Sequence, residues 1–247
     1  MIIPLPDGLI LGHRGAPVEA PENTLRSFRR AREHGADGIE FDVQPSADGV
    51  PVVIHDDTVD RTTGEQGAVA DLPWAALARL DAGAGHRGAG SGEHDPIPRL
   101  EEVAEWAAET GAWLNVELKA AGAEAASLAI LRDAGVLDRV IFSSFDPHIV
   151  RAVGHLDASV RRFLLTEDWT VNLRLRVAEC GAGGVCLAGE AATPPALRDL
   201  ARAGLPVVVW TVDDPARIAE LLRAGVAAVI TNDPARGVAA RREAAAR

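Results

Sequence analysis

Short apolar runs alternate with amphipathic stretches along the whole chain. The runs fall at residues 9–12, 38–44, 112–118, 140–143, 160–165, 184–187, 206–210 and 227–231. Each is strand-length and nearly continuously apolar, which predicts strands of a parallel sheet covered on both faces. Between most of them the apolar positions recur at helical spacing. In residues 22–33, Leu25, Phe28 and Ala31 mark one face, Asn23 or Thr24 offers an N-cap, and Gly35 a stop. Residues 99–110, 123–134, 147–155, 195–203 and 215–224 obey the same rules, with proline at several first turns and glycine past several ends. Eight strands alternating with helices favour an α/β fold closed as a TIM (β/α)8 barrel, which takes about 250 residues. A doubly wound open sheet is the runner-up. It would want a phosphate-binding glycine turn after the first strand, where this chain has Gly12-His13-Arg14-Gly15.

Residues 56–98 interrupt the rhythm. They hold one short helix candidate, 73–80, and a glycine-rich stretch, 83–92. This reads as a small insertion after the second strand, lying over one end of a single barrel domain that spans residues 1–247. Gly83, Gly85 and Gly88 match G-x-G-x-x-G, but the match neither follows a strand nor opens a helix, so a flexible surface loop explains it better.

The parity of two strands carries the chemistry. In Gly38-Ile39-Glu40-Phe41-Asp42-Val43-Gln44, alternation sends Ile39, Phe41 and Val43 toward the covering helices and Glu40 and Asp42 into the barrel. Two carboxylates buried side by side are costly unless a cation compensates. The segment Trp113-Leu114-Asn115-Val116-Glu117-Leu118-Lys119 puts Asn115, Glu117 and Lys119 on one face, so Glu117 can join Glu40 and Asp42. Three carboxylates suit a hard divalent cation, Mg²⁺ or Ca²⁺; zinc would want more histidine or cysteine. Lys119 is the only lysine beside 24 arginines, which suggests a need for a compact point charge, against the plain reading of a surface Glu–Lys pair. His13 and Arg14 end the first strand, where barrels carry catalytic groups, and the flanking glycines would allow a ligand to approach. Asp48-Gly49 signals a turn. A return strand over residues 50–54 would place residue 54 opposite residue 42, bringing His55 to the level of the acidic pair, with Asp56 or Asp57 to orient its ring. Two histidines beside one metal make an acid/base couple. Trp210 would wall the pocket or pack in the core.

Composition narrows the classes. The chain has 247 residues, 47% of them hydrophobic and 25% charged, as in an ordinary globular protein. Acids outnumber bases 36 to 25, which argues against a nucleic-acid partner. No stretch suits a transmembrane helix, and no export signal is visible at the N-terminus, so a cytoplasmic setting is expected. Cys180 and Cys186 read as buried free thiols. Oligomeric state is left open.

The motifs together resemble the glycerophosphodiester phosphodiesterase family. They are His13-Arg14-Gly15, Pro21-Glu22-Asn23-Thr24, Gly35 to Val43, Asp48-Gly49, His55-Asp56, Arg61-Thr62-Thr63 and Glu117-Leu118-Lys119, followed by weaker matches at Ser144-Phe145, Trp210-Thr211-Val212 and Ile230-Thr231. The resemblance implies a TIM barrel and a divalent metal at Glu40, Asp42 and Glu117. It implies His13 and His55 as acid and base, Arg14 and Lys119 on the phosphate, and a small-molecule glycerophosphodiester as substrate. Two departures stand out: Asp213 where the family usually has Asn, and Asn232 where it often has Asp. The family pattern places both away from the metal-binding positions, so they bear on the detail of the substrate pocket and leave the chemistry intact. The alternatives are a lyase of the sphingomyelinase D type, stopping at a cyclic phosphate, and a non-catalytic phosphoester-binding barrel.

Overall fold

All eight apolar runs are strands of one closed sheet. The computed structural model describes residues 5–86, 94–170 and 172–245. The strands are β1 (Leu9–His13), β2 (Gly38–Pro45), β3 (Pro51–Val53), β4 (Trp113–Leu118), β5 (Val140–Ser144), β6 (Arg161–Thr166), β7 (Gly184–Ala188), β8 (Val207–Trp210) and β9 (Ala228–Thr231). Among the described residues, eight of these pair in parallel around a ring, and β1 closes it by pairing with both β9 and β2. The ninth, β3, returns antiparallel along β2 with Val43 opposite Val53. Residue 42 therefore faces residue 54, and Ile54 N–H donates to the Asp42 carbonyl, as the turn at Asp48-Gly49 foretold.

Side-chain parity sorts the core into two layers. Leu9, Leu11, Ile141, Phe163, Leu165, Cys186, Val208, Ala228 and Ile230 fill the barrel. The alternate residues of the same strands, among them Ile10, Ile39, Phe41, Val43, Leu114, Leu164 and Val209, pack outward under the helices. Phe28 lies tilted between Phe41 and Trp106, with ring centroids 5.7 and 5.9 Å away. Burying each such side chain stabilises the fold by about 1.5–3 kcal/mol.

The helices are α1 (Leu25–Glu33), α2 (Asp60–Thr63), α3 (Trp74–Leu77), α4 (Leu100–Thr110), α5 (Glu124–Asp133), α6 (Pro147–Leu156), α7 (Leu173–Cys180), α8 (Pro194–Arg202), α9 (Pro215–Arg223) and α10 (Pro234–Ala245). Three differences separate the helices from the sequence reading. First, α1 starts at Leu25, because Asn23 has φ +57° and Thr24 is the cap, its hydroxyl accepting from Ser27 N–H. Second, α3 is one turn long and not an element of 73–80. Third, α7 and α10 were not anticipated. Residues 173–177 alternate Leu-Arg-Leu-Arg-Val, a period that hides a helix whose buried positions are Leu173, Val177 and Cys180 and whose Leu175 stays exposed. In α10 the buried face is built of Gly237, Val238 and Ala240, too small to register as an apolar stripe.

The segment after β3 carries its own small core of Val52, Ile54, Val59, Val69, Leu77, Ala82 and Ile97. Part of the glycine-rich stretch, including Gly88, lies outside the described residues. Cys180 and Cys186 are free and buried, as expected.

Candidate active site

The acidic cluster follows from strand register. β2 and β4 pair with Glu40 beside Asn115 and Asp42 beside Glu117. Both acids of β2 point inward with Glu117, and one oxygen from each of the three lies within 4.8 Å of the others. Glu40 and Asp42 are buried, Glu117 nearly so. Burial, and then the negative charge of Asp42 and Glu117, push the Glu40 carboxyl well above the usual carboxylate range. Burial and Asp42 raise Glu117 likewise. Two cations offset part of this charge. Lys119 Nζ is 2.9 Å from Glu117 Oε1 and 3.7 Å from Asp42 Oδ1, and Arg14 Nε is 3.3 Å from Asp42 Oδ2. Lys119 is thus part of the cluster and no ordinary surface pair. Among the described residues, Glu40 accepts from the Arg14 backbone N–H at 3.2 Å and has His13 Nε2 at 3.9 Å, with no side-chain cation in direct contact. Three acids beside two cations leave anionic charge that either protonation or a divalent cation relieves, so the donor set fits a hard metal ion.

The turn after β1 sets the next groups. Arg14 sits at φ +54° and Gly15 at +95°. A Cβ at Gly12 would lie 2.0 Å from the Gly15 carbonyl, and one at Gly15 would lie 2.3 Å from Ser27 Oγ. The glycines therefore let the turn fold against itself and α1, and not, as the sequence suggested, open space for a ligand. The turn is pinned by Ser27, whose hydroxyl accepts from Ala16 N–H and donates to the Arg14 carbonyl. Arg14 Nη1 then reaches Glu22 at 2.8 Å. The Asn23 side chain donates to Asp42 Oδ2 at 2.9 Å.

His13 projects from β1 with Nε2 toward Glu40 and Nδ1 2.7 Å from Asn232 Oδ1. Burial, then the Arg14 charge, lowers its pKa. His55 arrives from the other side on the β2–β3 hairpin. Its Nδ1 is 2.6 Å from Asp56 Oδ1, so Asp56 and not Asp57 is its orienting acid. Arg61, in α2, spans Asp56 and Glu22 at 2.6–2.8 Å. His13, Arg14, Glu40, His55, Glu117 and Lys119 line one cleft at the C-terminal mouth of the barrel. Trp210 and Phe145 form its apolar wall, packed edge to face at 5.6 Å. The Trp210 indole N–H donates to the Cys186 carbonyl. A larger cleft outside the barrel, lined by Arg26, Arg29 and Asp95, lacks such a grouping.

A model of the glycerophosphoryl diester phosphodiesterase family matches residues 13–236. The chain belongs to that family. Its members are phosphoric diester hydrolases. A glycerophosphodiester phosphodiesterase of Caldanaerobacter subterraneus subsp. tengcongensis is 34% identical over 236 residues, covering 92% of this chain and 94% of the relative. A phosphodiesterase of Oleispira antarctica, solved in complex with the product sn-glycerol-3-phosphate, superposes with a TM-score of 0.84 at 29% identity, covering 94% of this chain and 96% of that one. A glycerophosphodiester phosphodiesterase of Agrobacterium tumefaciens gives 0.82 at 29%, covering 94% and 99%.

Against the family pattern, the residues that sequence reasoning did not assign are the ones that brace others. Glu22 and Asn23 lie in the Pro21-Glu22-Asn23-Thr24 motif, and Arg61 in Arg61-Thr62-Thr63. Their presence in family motifs was the available signal, but their partners are made only by folding. Asp213 and Asn232, the two departures, prove to be hydrogen-bonded to each other, and Asn232 meets His13. Asn232 thus contacts a predicted catalytic histidine, and Asp213 reaches it only through Asn232; neither lines the wall of the substrate pocket.

Proposed function

We propose that the protein hydrolyses glycerophosphodiesters to glycerol 3-phosphate and an alcohol through a cyclic phosphate, using His13 and His55 as acid and base. Glu40, Asp42 and Glu117 would hold the metal, Mg²⁺ or Ca²⁺. The observation that carries the reading is the meeting of two imidazoles, two cations and the carboxylates Glu40 and Glu117 in one cleft with an apolar wall, with Asp42 clustered behind them. When bound, the cation would supply Lewis acidity toward a phosphate oxygen and the neighbouring glycerol hydroxyl. One histidine removes the proton of that hydroxyl as its oxygen attacks phosphorus, and the other protonates the departing alcohol. The histidines exchange roles when water opens the cyclic phosphate. Arg14 and Lys119 face the phosphoryl oxygens and stabilise their charge. Trp210 and Phe145 shape the pocket around the substrate. A cytoplasmic setting belongs to the same reading; two free buried thiols are compatible with it, and among the described residues no helix is long and apolar enough to cross a membrane.

The test is turnover of glycerophosphocholine with Mg²⁺ or Ca²⁺, with and without chelator, in the protein and in its His13→Ala and His55→Ala variants. General acid–base groups contribute roughly 10²–10⁴-fold, so each variant should fall at least 100-fold. Undiminished turnover in His13→Ala would reject the assignment. Phosphorus NMR of the products separates full hydrolysis from a lyase that stops at the cyclic phosphate.

A further inference from the structure

We propose that Asn232 and Asp213 act as a positioning pair that fixes where the His13 proton sits, an inference that rests on the acid/base reading of His13 above. An amide presents either an acceptor or a donor, depending on which way it is turned. Asn232 is turned by Asp213. Asp213 Oδ1 accepts from the Thr231 hydroxyl at 2.8 Å and from Asn232 N–H at 2.7 Å, and Oδ2 accepts from Asn232 Nδ2 at 2.8 Å. Those donors favour an ionised, acceptor-only carboxylate. With Nδ2 committed to Asp213, Asn232 has only Oδ1 to offer His13, and it lies 2.7 Å from Nδ1. An acceptor there requires Nδ1 to carry the proton. In the neutral ring Nε2 then holds the lone pair, and Nε2 is the nitrogen facing Glu40 and the acidic cluster. An uncharged amide thus sets the tautomer without adding a fourth carboxylate beside the three already buried.

The geometry predicts what a remote change would do. In Asp213→Asn, the side-chain oxygen can keep the Thr231 and Asn232 backbone bonds only by placing its NH2 against Asn232 Nδ2. Two donors facing each other turn the Asn232 amide over, and the proton moves to His13 Nε2. In Asn232→Asp, two carboxylates meet. The reciprocal double variant, Asp213→Asn with Asn232→Asp, restores donor to acceptor and leaves an oxygen for Nδ1–H.

Nitrogen-15 NMR of histidine-labelled protein, with the His13 signals assigned by their loss in His13→Gln, reads the proton directly at a pH where the ring is neutral. The expected result is a protonated Nδ1 in the wild type, a shift to Nε2 in Asp213→Asn and Asn232→Leu, and recovery of Nδ1 in the double variant. In parallel, kcat for glycerophosphocholine should fall about tenfold or more in each single variant with KM little changed, since a misplaced tautomer is costly in histidine catalysis. The double variant should regain most of it. A wild-type ring protonated on Nε2, or a tautomer indifferent to Asp213, overturns the proposal. So does a double variant no better than the product of the singles. If no diester is turned over, the function proposed above fails, while the NMR result still decides the pair.

Discussion

Arg61 is half exposed, and an exposed salt bridge is worth little by itself. Its weight here comes from what its partners touch. Glu22 holds Arg14, and Asp56 holds the His55 ring. Although burial works the other way, the Arg61 and Arg14 guanidiniums keep the Glu22 carboxyl down at about 2, against an ordinary 4.5. Arg61 first, then His55, keeps Asp56 at about 2, against 3.8. A carboxylate held below its unfolded value stabilises the fold above that value, and the contribution is lost as pH falls through the folded one. Arg61→Ala should therefore lower the melting temperature at neutral pH, with the deficit shrinking below about pH 4, small near pH 2 and vanishing only below it. It should also cut kcat by about tenfold, the usual effect of removing a brace behind a functional side chain. Melting curves across pH and steady-state kinetics check both; equal deficits at pH 7 and pH 2 would refute the electrostatic account. At this scale the sequence was half legible. Glu40, Asp42, Glu117 and Lys119 followed from strand parity. The choice of Asp56 over Asp57 did not, because it depends on the hairpin's exit angle. Nor did the meeting of Glu22 with Arg61, 39 residues apart, which only the closed barrel brings about.

Among the elements, the β2–β3 hairpin does most to build the site, since it lifts His55 to the level of the acids. Its end is tied by Gln44, a buried inward residue of β2. Gln44 Nε2 lies 3.1, 3.0 and 2.8 Å from the carbonyls of Ile54, His55 and Asp56, and its two hydrogens can serve two of them at a time. Gln44→Leu keeps the bulk but orphans those carbonyls, at about 1–3 kcal/mol for an unsatisfied buried group. The expected outcome is a stability loss of that size by urea denaturation, together with a fall in kcat as the His55 backbone relaxes; a stable variant with full activity would show that the strand pairing alone suffices. The hairpin was readable because Asp48-Gly49 is a local turn signal and Gly49 takes φ +78°. The strands were readable for the same kind of reason: their period of two, or their unbroken apolarity, is written locally. The start of α1 was misjudged because Asn23 gives up a helical conformation to donate to Asp42. The masking of α7 by a Leu-Arg alternation shows the converse, a local period overridden by packing on the barrel.

At the level of the whole molecule, closure and charge are linked. β1, the first strand, closes the ring by pairing with β2 on one side and with β9, the last strand, on the other, and Asp37 fastens the seam: its carboxylate accepts from Ile10 N–H and pairs with Arg241 of α10. The closed ring is what confines Glu40, Asp42 and Glu117 to one end with two cations between them. An unfolded chain separates these acids and has no comparable site. A divalent cation that binds the folded form alone must therefore stabilise it by mass action. At 100 times the dissociation constant this amounts to about 2.7 kcal/mol, which for a domain of this size raises the melting temperature by about 5–10 °C. Scanning calorimetry in chelator, and then in rising Mg²⁺ or Ca²⁺, should show that increment without any substrate present, and the ion with the larger shift at equal concentration is the preferred one. Glu40→Gln removes one oxygen anion from the cluster while leaving the barrel's apolar layers untouched, so it should melt normally in chelator and lose most of the metal-dependent rise. If neither ion moves the wild-type transition at millimolar concentration, the three carboxylates are balanced by Arg14, Lys119 and a protonated Glu40 alone, and the metal assignment has to be abandoned.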